Sequence, residues 1–317
     1  MKKRYLILTL IILSIASIFI GVKDISFLDI FKADDIKLKV LLIGRIPRLI
    51  SIIIVGATIS ISGLIMQQIS RNKFVSPDTA STVDSAKLGI LVALMIFPSA
   101  NITEKMIVSF IFSLMGTLLF MKILKKIKSK NSIFIPLVGI MLGNIIDSIT
   151  TFFAYKYDLI QIIASWLQGD FSLIIKGNYE LIYLSLPIVI IASIYANKFT
   201  VAGMGEDFSK NLGVNYNRII NIGLIIVALI SSLVVITVGK IPFLGLIVPN
   251  IITLYKGDNL KNSIWSTALL GAVFLLICDI LGRLIIYHYE ISIGLMVGVI
   301  GSIVFIYLLF RRNGNEV

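Results

Sequence analysis

PRLISIIIVGATISISGLIMQQIS, residues Pro47–Ser70, decides the fold. A helix rises 1.5 Å per residue, so a stretch of this length runs about 36 Å, enough to cross the roughly 30 Å of hydrocarbon in a bilayer. After Arg48 no charged side chain occurs until Arg71. Working outward, further apolar runs lie at 5–22, 82–97, 105–122, 132–153, 180–197, 216–238, 242–256, 264–287 and 291–310. Most have the roughly 17–25 residues of a membrane helix, those at 82–97 and 242–256 being short. The chain is 57% hydrophobic and 15% charged, where soluble domains average about 25% charged. With a mean hydropathy of +0.99 it cannot cover a water-facing surface. The expected fold is an all-α polytopic membrane protein of about ten transmembrane helices, one domain over 1–317.

The basic start Met1–Arg4 and the apolar run from Tyr5 to Val22 resemble a secretory signal. The run is long enough to span, and no small-residue cleavage site precedes Lys23, so it reads as a retained first span. With ten spans, Lys2, Lys3 and Arg4, Arg71 and Lys73, the lysines at 122, 125, 126, 128 and 130, Lys198 and Lys210, Lys256 and Lys261, and Arg311 and Arg312 all fall on one side. That side is cytoplasmic by the positive-inside rule, placing both termini there. The outer loop expected at 23–46 breaks the pattern with Lys23, Lys32, Lys37, Lys39 and Arg45. The net charge of +12 is thereby a matter of topology, not of nucleic acid.

Two connections are not spans. Residues 154–179 hold WLQGD at Trp166–Asp170, suited to a short helix on the membrane surface. Residues 198–215 contain a polar cytoplasmic helix bracketed by glycines. Arg48–Pro77 and Arg218–Pro249 share an order: a basic start, a long apolar span, a polar break, and a Phe-to-Pro approach to the next helix. They lie an odd number of spans apart, so units at about 45–155 and 216–310 would be inverted, as in many transporters, although two apolar helices can also look alike by chance.

No Walker A sequence occurs, so ATP must be used by a separate subunit. One cysteine, Cys278, and one histidine, His288, are too few for a metal site or a disulfide, and no nucleophile–base set suggests an enzyme. Ionisable residues within spans need a reason. Asp147 shares a helix face with Asn144 and Thr150/Thr151, and this polar stripe could line an aqueous pathway, relay protons, or make an interhelical hydrogen bond. Asp84 and Lys87 can pair at i,i+3, and Asp279 with Arg283 one turn apart. Arg45, Arg48 and Arg283 fall on the outer side, where arginine is disfavoured. They are either snorkelling anchors or a docking site for carboxylates of an extracytoplasmic partner.

RIPRLISIIIVGATISISGLIMQ (Arg45–Gln67), RNKFVSPDTAS (Arg71–Ser81), GMGEDFSKNLGV (Gly203–Val214), GKIPFLGLIVPNI (Gly239–Ile251) and ISIGLMVGVIGSIVFIYLLFRR (Ile291–Arg312) resemble, in order and spacing, the iron-siderophore/vitamin B12 ABC-importer permeases, the FecCD family. The resemblance implies a type II importer permease of ten helices, a second permease subunit, two cytoplasmic ATPases and an extracytoplasmic substrate-binding (lipo)protein. It implies binding-protein docking for Arg45, Arg48 and Arg283, and ATPase coupling for Gly205, Glu206, Leu212 and Gly213. Asn250 stands where the family usually shows histidine. FVSPDTASTVDSAKLGILVALMIFPSA (Phe74–Ala100) is similar to the members serving catecholate siderophores such as petrobactin or anguibactin. The expectation is a ferric-siderophore import permease of the bacterial inner membrane that binds no cofactor itself. The alternatives are a vitamin B12 or haem importer of the same architecture, or a proton-coupled transporter using Asp147.

Overall fold

The computed structural model describes residues 3–21, 35–99, 101–126, 134–177, 179–286 and 289–313. His288, Lys23, Lys32, Lys128 and Lys130 lie outside the described residues. Every regular element among the described residues is helical. In chain order they are α1 (Lys3–Phe19), α2 (Asp35–Val40), a π turn (Leu41–Arg45), α3 (Ile46–Ser70), α4 (Thr82–Ile96), α5 (Ile102–Lys126), α6 (Phe134–Lys156) and α7 (Ile160–Trp166). A 3-10 turn (Glu180–Leu184) leads into α8 (Ser185–Gly203), followed by α9 (Glu206–Asn211), α10 (Tyr216–Val238), α11 (Leu244–Lys256), α12 (Leu260–Leu284) and α13 (Ile293–Asn313).

Each of the ten apolar runs carries a helix. Among the described residues, six helical stretches are long and apolar enough to cross a membrane: Leu38–Ser70, Ile102–Leu124, Phe134–Lys156, Glu180–Gly203, Tyr216–Val238 and Leu260–Leu284. The helices on the other four runs, α1, α4, α11 and the apolar part of α13, are shorter. The short helix expected on Trp166–Asp170 is corrected: the helix in 154–179 is α7, which ends at Trp166, and Gly169 there takes a left-handed backbone (φ 65°). The end of the outer loop at 23–46 is corrected: from Asp35 the chain is already helical and feeds into α3. Pro47 has no N–H for the carbonyl four residues back, at Ile43. The π turn absorbs this, and the Ile43 oxygen accepts instead from the Lys176 N–H at 2.9 Å. The span expected at 180–197 continues to Gly203, because Phe199 and Ala202 keep burying apolar surface beyond Lys198.

α3 is the axis of the bundle. Ile52, Val55, Ile61, Ile65 and Met66 are fully buried along it. Lipid is as apolar as leucine, so close contact rather than water exclusion holds such helices together. Gly56 lies against the backbone of Gly271 and Ala272 on α12, and Gly63 against the Gly245 carbonyl on α11. Pro249 explains the second contact in part: it leaves the Gly245 oxygen without its usual helical donor, and that oxygen turns onto α3. Gly139 and Gly143, four apart, seat α6 against Thr79 and Asp84, and Gly294 meets the Gln168 carbonyl. Gly298 has only Pro242 nearby, at ordinary contact distance. The outward faces of α5, α6 and α8 carry exposed Ile111, Met115, Ile145, Phe152, Ile190 and Ile194, as a lipid-facing shell does.

α3 and α10 are each followed by a broken connection and a short helix. After α3 the backbone turns left-handed at Arg71 (φ 54°) and Ser81 (φ 56°) before α4; after α10 it does so at Gly239 (φ 87°) and Phe243 (φ 61°) before α11. α4 and α11 have 15 and 13 residues, about half to two thirds of a full span.

Candidate functional site

Three polar places stand out among the described residues: a cluster of arginines at one end of the bundle, a charged cavity within it, and a polar opposite end.

The arginines expected for docking converge on one open cavity of about 240 Å³, together with Gly21, Ser172 and Glu290. Their side chains already have work there. The last carbonyls of any α-helix lack intrahelical donors. At the end of α1, the Ala16 oxygen accepts from the Ile20 N–H at 3.0 Å. The Arg45 guanidinium donates to the carbonyls of Ile18 (2.6 Å) and Phe19 (3.3 Å). That of Arg283 donates to the carbonyls of Ser17 (3.0 Å) and Ile20 (2.7 Å) and to the Ser17 hydroxyl (2.5 Å). Two cations thus cap the negative end of the α1 dipole. Behind them Asp279, fully buried, accepts from Arg283 and from Arg48 Nε (3.0 Å) and Nη2 (2.7 Å). Arg48 turns its remaining nitrogen, Nη1, to Glu290 at 2.5 Å. Arg283 is only 4% exposed. The expected Asp279–Arg283 pair is present, but as part of a network spanning α3, α12 and the end of α1.

The second place is a cavity of about 350 Å³ lined by Asp78, Asp84, Lys87, Asn144, Asp147 and Lys240, among others. It lies where the breaks before α4 and α11 meet α6. Here the expectation for Asp84 and Lys87 is corrected. Lys87 donates to Asp147 of α6 at 2.5 Å, while Asp84 takes Lys240 from the α10–α11 break at 3.4 Å. The i,i+3 partner is the nearest in sequence, but tertiary packing supplies better-placed charges. Asn144 and Asp147 face this cavity; Thr151 is not among its lining, and the buried hydroxyl beside it, Thr150, bonds its own helix at Ile146. Separate Lys87→Met and Asp147→Asn substitutions are expected to be non-additive. The double variant costs less than their sum by about 0.5–1 kcal/mol, a value kept small because Asp147 is 46% exposed. Thermal unfolding of the four proteins in one detergent measures it, and strict additivity would refute the pairing.

At the other end of the bundle Arg71 lies near Tyr216, and Lys3 of α1 near Lys256. Lys73 pairs with Asp258, and Gln68 Nε2 donates to the Asp258 carbonyl at 3.0 Å. Asn250 Nδ2 donates to the Lys73 carbonyl at 2.8 Å, tying α11 to the connection after α3. On this end sits α9, opened by Gly205 (φ 121°) and closed by Gly213 (φ 71°), both conformations that suit glycine. Ser209 anchors its buried side by donating to the Gly205 carbonyl at 2.7 Å. Lys210 is bonded by Glu206 at 3.0 Å, which with the field of that carboxylate holds its ammonium above the ordinary lysine range. Met204 before α9, Phe208 on it and Leu212 at its end are each about half exposed.

The chain matches the FecCD transport family over residues 8–311. It is 64% identical over 313 residues, 99% of each chain, to the petrobactin import system permease protein YclN of Bacillus subtilis (strain 168). The chain belongs to the FecCD transport family. A second relative, the ferric-anguibactin transport system permease protein FatD of Vibrio anguillarum, is 36% identical over 96% of this chain and 98% of its own. Among solved structures, the inward-facing conformation of a metal-chelate type ABC transporter superposes with a TM-score of 0.83 at 22% identity, covering 96% of this chain and 97% of that one, a likeness of fold.

Family membership accounts for the helical architecture but not for every charge described here. Lys240 and Glu290 were not singled out by sequence reasoning. Lys240 carried a usable signal, a lone lysine behind Gly239 between two apolar stretches. Glu290 carried none beyond being the one acid between the last two spans.

Proposed function

We propose that this member of the family is the membrane-spanning permease subunit of an ABC importer that passes a ferric siderophore of catecholate type into the cytoplasm. The observation that carries the reading is the exposed apolar set Met204, Phe208 and Leu212. Phe208 lies on α9 among Glu206, Asp207, Ser209, Lys210 and Asn211, with Met204 just before the helix and Leu212 at its end, at the polar end of the bundle. Apolar surface held out into water beside fixed charges calls for a protein partner, and a short helix fits the groove of an ATPase subunit. Gly205 and Gly213 set its angle, Glu206 its polar side, and Leu212 its contact. The cargo follows from the petrobactin and anguibactin systems named for the relatives.

On this reading the end of the bundle that carries α9 is cytoplasmic, together with both termini, and the membrane is the bacterial inner membrane. The chain binds no cofactor. ATP is hydrolysed by two partner subunits, a second permease subunit completes the channel, and an extracytoplasmic binding protein delivers the cargo at the end where Arg45, Arg48 and Arg283 converge. The opposed α3–α4 and α10–α11 units are taken as halves of an inverted duplication, with Asn144 and Asp147 bordering the pathway. Asp147 is engaged by Lys87 rather than standing alone in apolar surroundings, which removes the motive for a proton-driven mechanism.

Leu212→Asp is expected to lower uptake of labelled ferric petrobactin by about tenfold or more in a strain lacking the native permease, since a charge falls at the centre of the contact. The variant should still reach the membrane, while its co-purification with the ATPase subunit is lost. Uptake at the wild-type rate with Leu212→Asp would sink the coupling assignment. Uptake of another chelate in place of ferric petrobactin would sink the cargo assignment alone.

A further inference from the structure

We propose that Glu290 is a resident carboxylate that occupies the docking position on Arg48 and is displaced by a carboxylate side chain of the extracytoplasmic partner. The inference rests on the docking reading above and adds a competitor built into the chain. Arg48 presents three nitrogens in a fixed fork. Nε and Nη2 are committed to Asp279, which is fully buried and is shared with Arg283. Among the described residues Nη1 is held by Glu290 alone, at 2.5 Å. Asp279 is at 0% exposure and Arg283 at 4%, whereas Glu290 is at 27% and faces the open cavity.

Among Arg48, Arg283, Asp279 and Glu290 two guanidinium groups balance two carboxylates, while Arg45 on the same wall caps the carbonyls at the end of α1. When Glu290 leaves, the wall gains one positive charge, with a nitrogen of Arg48 turned to the cavity. One carboxylate from outside restores the balance with the same geometry. A neutral or cationic side chain does not, so among the side chains of a protein partner the occupant is an Asp or Glu.

Glu290 is placed to swing. It sits in the connection between α12 and α13, where Ile285, Ile286 and Tyr289 are largely exposed and the Ile291 N–H, bonded to the Gly282 carbonyl at 3.1 Å, ties down the far side. Asp279 lies inside a helix and cannot follow. Docking is thus an exchange of one carboxylate for another. An exchange gives selectivity and reversibility at little net affinity, because the desolvated arginine is never left bare.

The test uses the full-length protein in lipid nanodiscs and the arginine reagent phenylglyoxal, with modification at Arg48 read by mass spectrometry. Glu290→Gln keeps size and removes charge. It is expected to raise the rate at Arg48 by about three- to tenfold, the range a partly exposed ion pair controls, and to leave the buried Arg283 unreactive. A soluble glutamate-rich peptide should protect Arg48 in Glu290→Gln at lower concentration than in wild type, and a glutamine-rich peptide should not. Equal Arg48 rates in the two proteins would overturn the proposal, as would equal reactivity of Arg283 and Arg48 in the variant, which would signal unfolding of the site. A raised Arg48 rate without peptide protection would keep Glu290 as the cover of Arg48 and would refute the carboxylate docking on which the exchange depends.

Discussion

Asp279→Ala lowers the stability of the protein by about 3–5 kcal/mol, the usual result of removing one partner from a buried ion pair. The carboxylate is fully buried and accepts from both Arg48 and Arg283, so its loss leaves Arg283, 4% exposed, without a carboxylate and Arg48 with Glu290 alone among the described residues. Asp279→Asn keeps the shape and part of the hydrogen bonding, and should fall between alanine and wild type. Adding Arg283→Met to Asp279→Ala removes one stranded charge and should recover part of the loss, despite deleting a second native side chain. Thermal unfolding in detergent gives the order. Hydrogen exchange adds a local reading, because amides near the end of α1 should lose protection when Arg283 is freed. An Asp279→Ala protein as stable as wild type would mean that water reaches both guanidinium groups, and the burial described here would be wrong.

Gly63→Ala is expected to cost about 3 kcal/mol, near the upper end for overpacking. An added Cβ would stand 1.8 Å from the Gly245 carbonyl oxygen and 2.5 Å from its carbon. Those are backbone atoms of α11, and no rotamer change relieves them, so the two helices must separate. α3 is the axis of the bundle, and the separation spreads to α12 through the Gly56–Gly271 contact. Gly298→Ala is the matched control, since its Cβ meets only Pro242 at 3.7 Å and alanine favours the helix. Yield of folded protein and the midpoint of thermal unfolding distinguish them; equal behaviour of the two variants would show that α3 and α11 do not touch as described.

Much of this arrangement can be read from the chain because lipid imposes a strong and simple rule. A run such as Pro47–Ser70 has no stable alternative to a spanning helix, and the glycines flanking α9 announce the turns that isolate it. The Asp279–Arg283 pair was legible because both residues lie on one helix a turn apart. The α1 cap was not. Its acceptors are backbone carbonyls of residues 17–20, which any sequence would supply, and Arg283 comes from over 260 positions away. The charged cavity was half legible. Asp147 and Asn144 stood out within a span, yet the partners of Lys87 and Asp84 were misassigned, because Asp147 and Lys240 reach them only through the breaks before α4 and α11. The helix before Pro47 was hidden by lysines 37 and 39, which read as loop.

The capping of α1 also bears on the order in which the molecule is made. α1 and Arg45 leave the ribosome well before Arg283, which follows Ser17 by 266 positions. Until then the carbonyl of Ser17 must borrow donors from water or lipid headgroups at the rim of the bilayer. α1 is therefore made long before it is locked, and a nascent chain halted before α12 would carry a loose helix that membrane quality-control proteases could recognise.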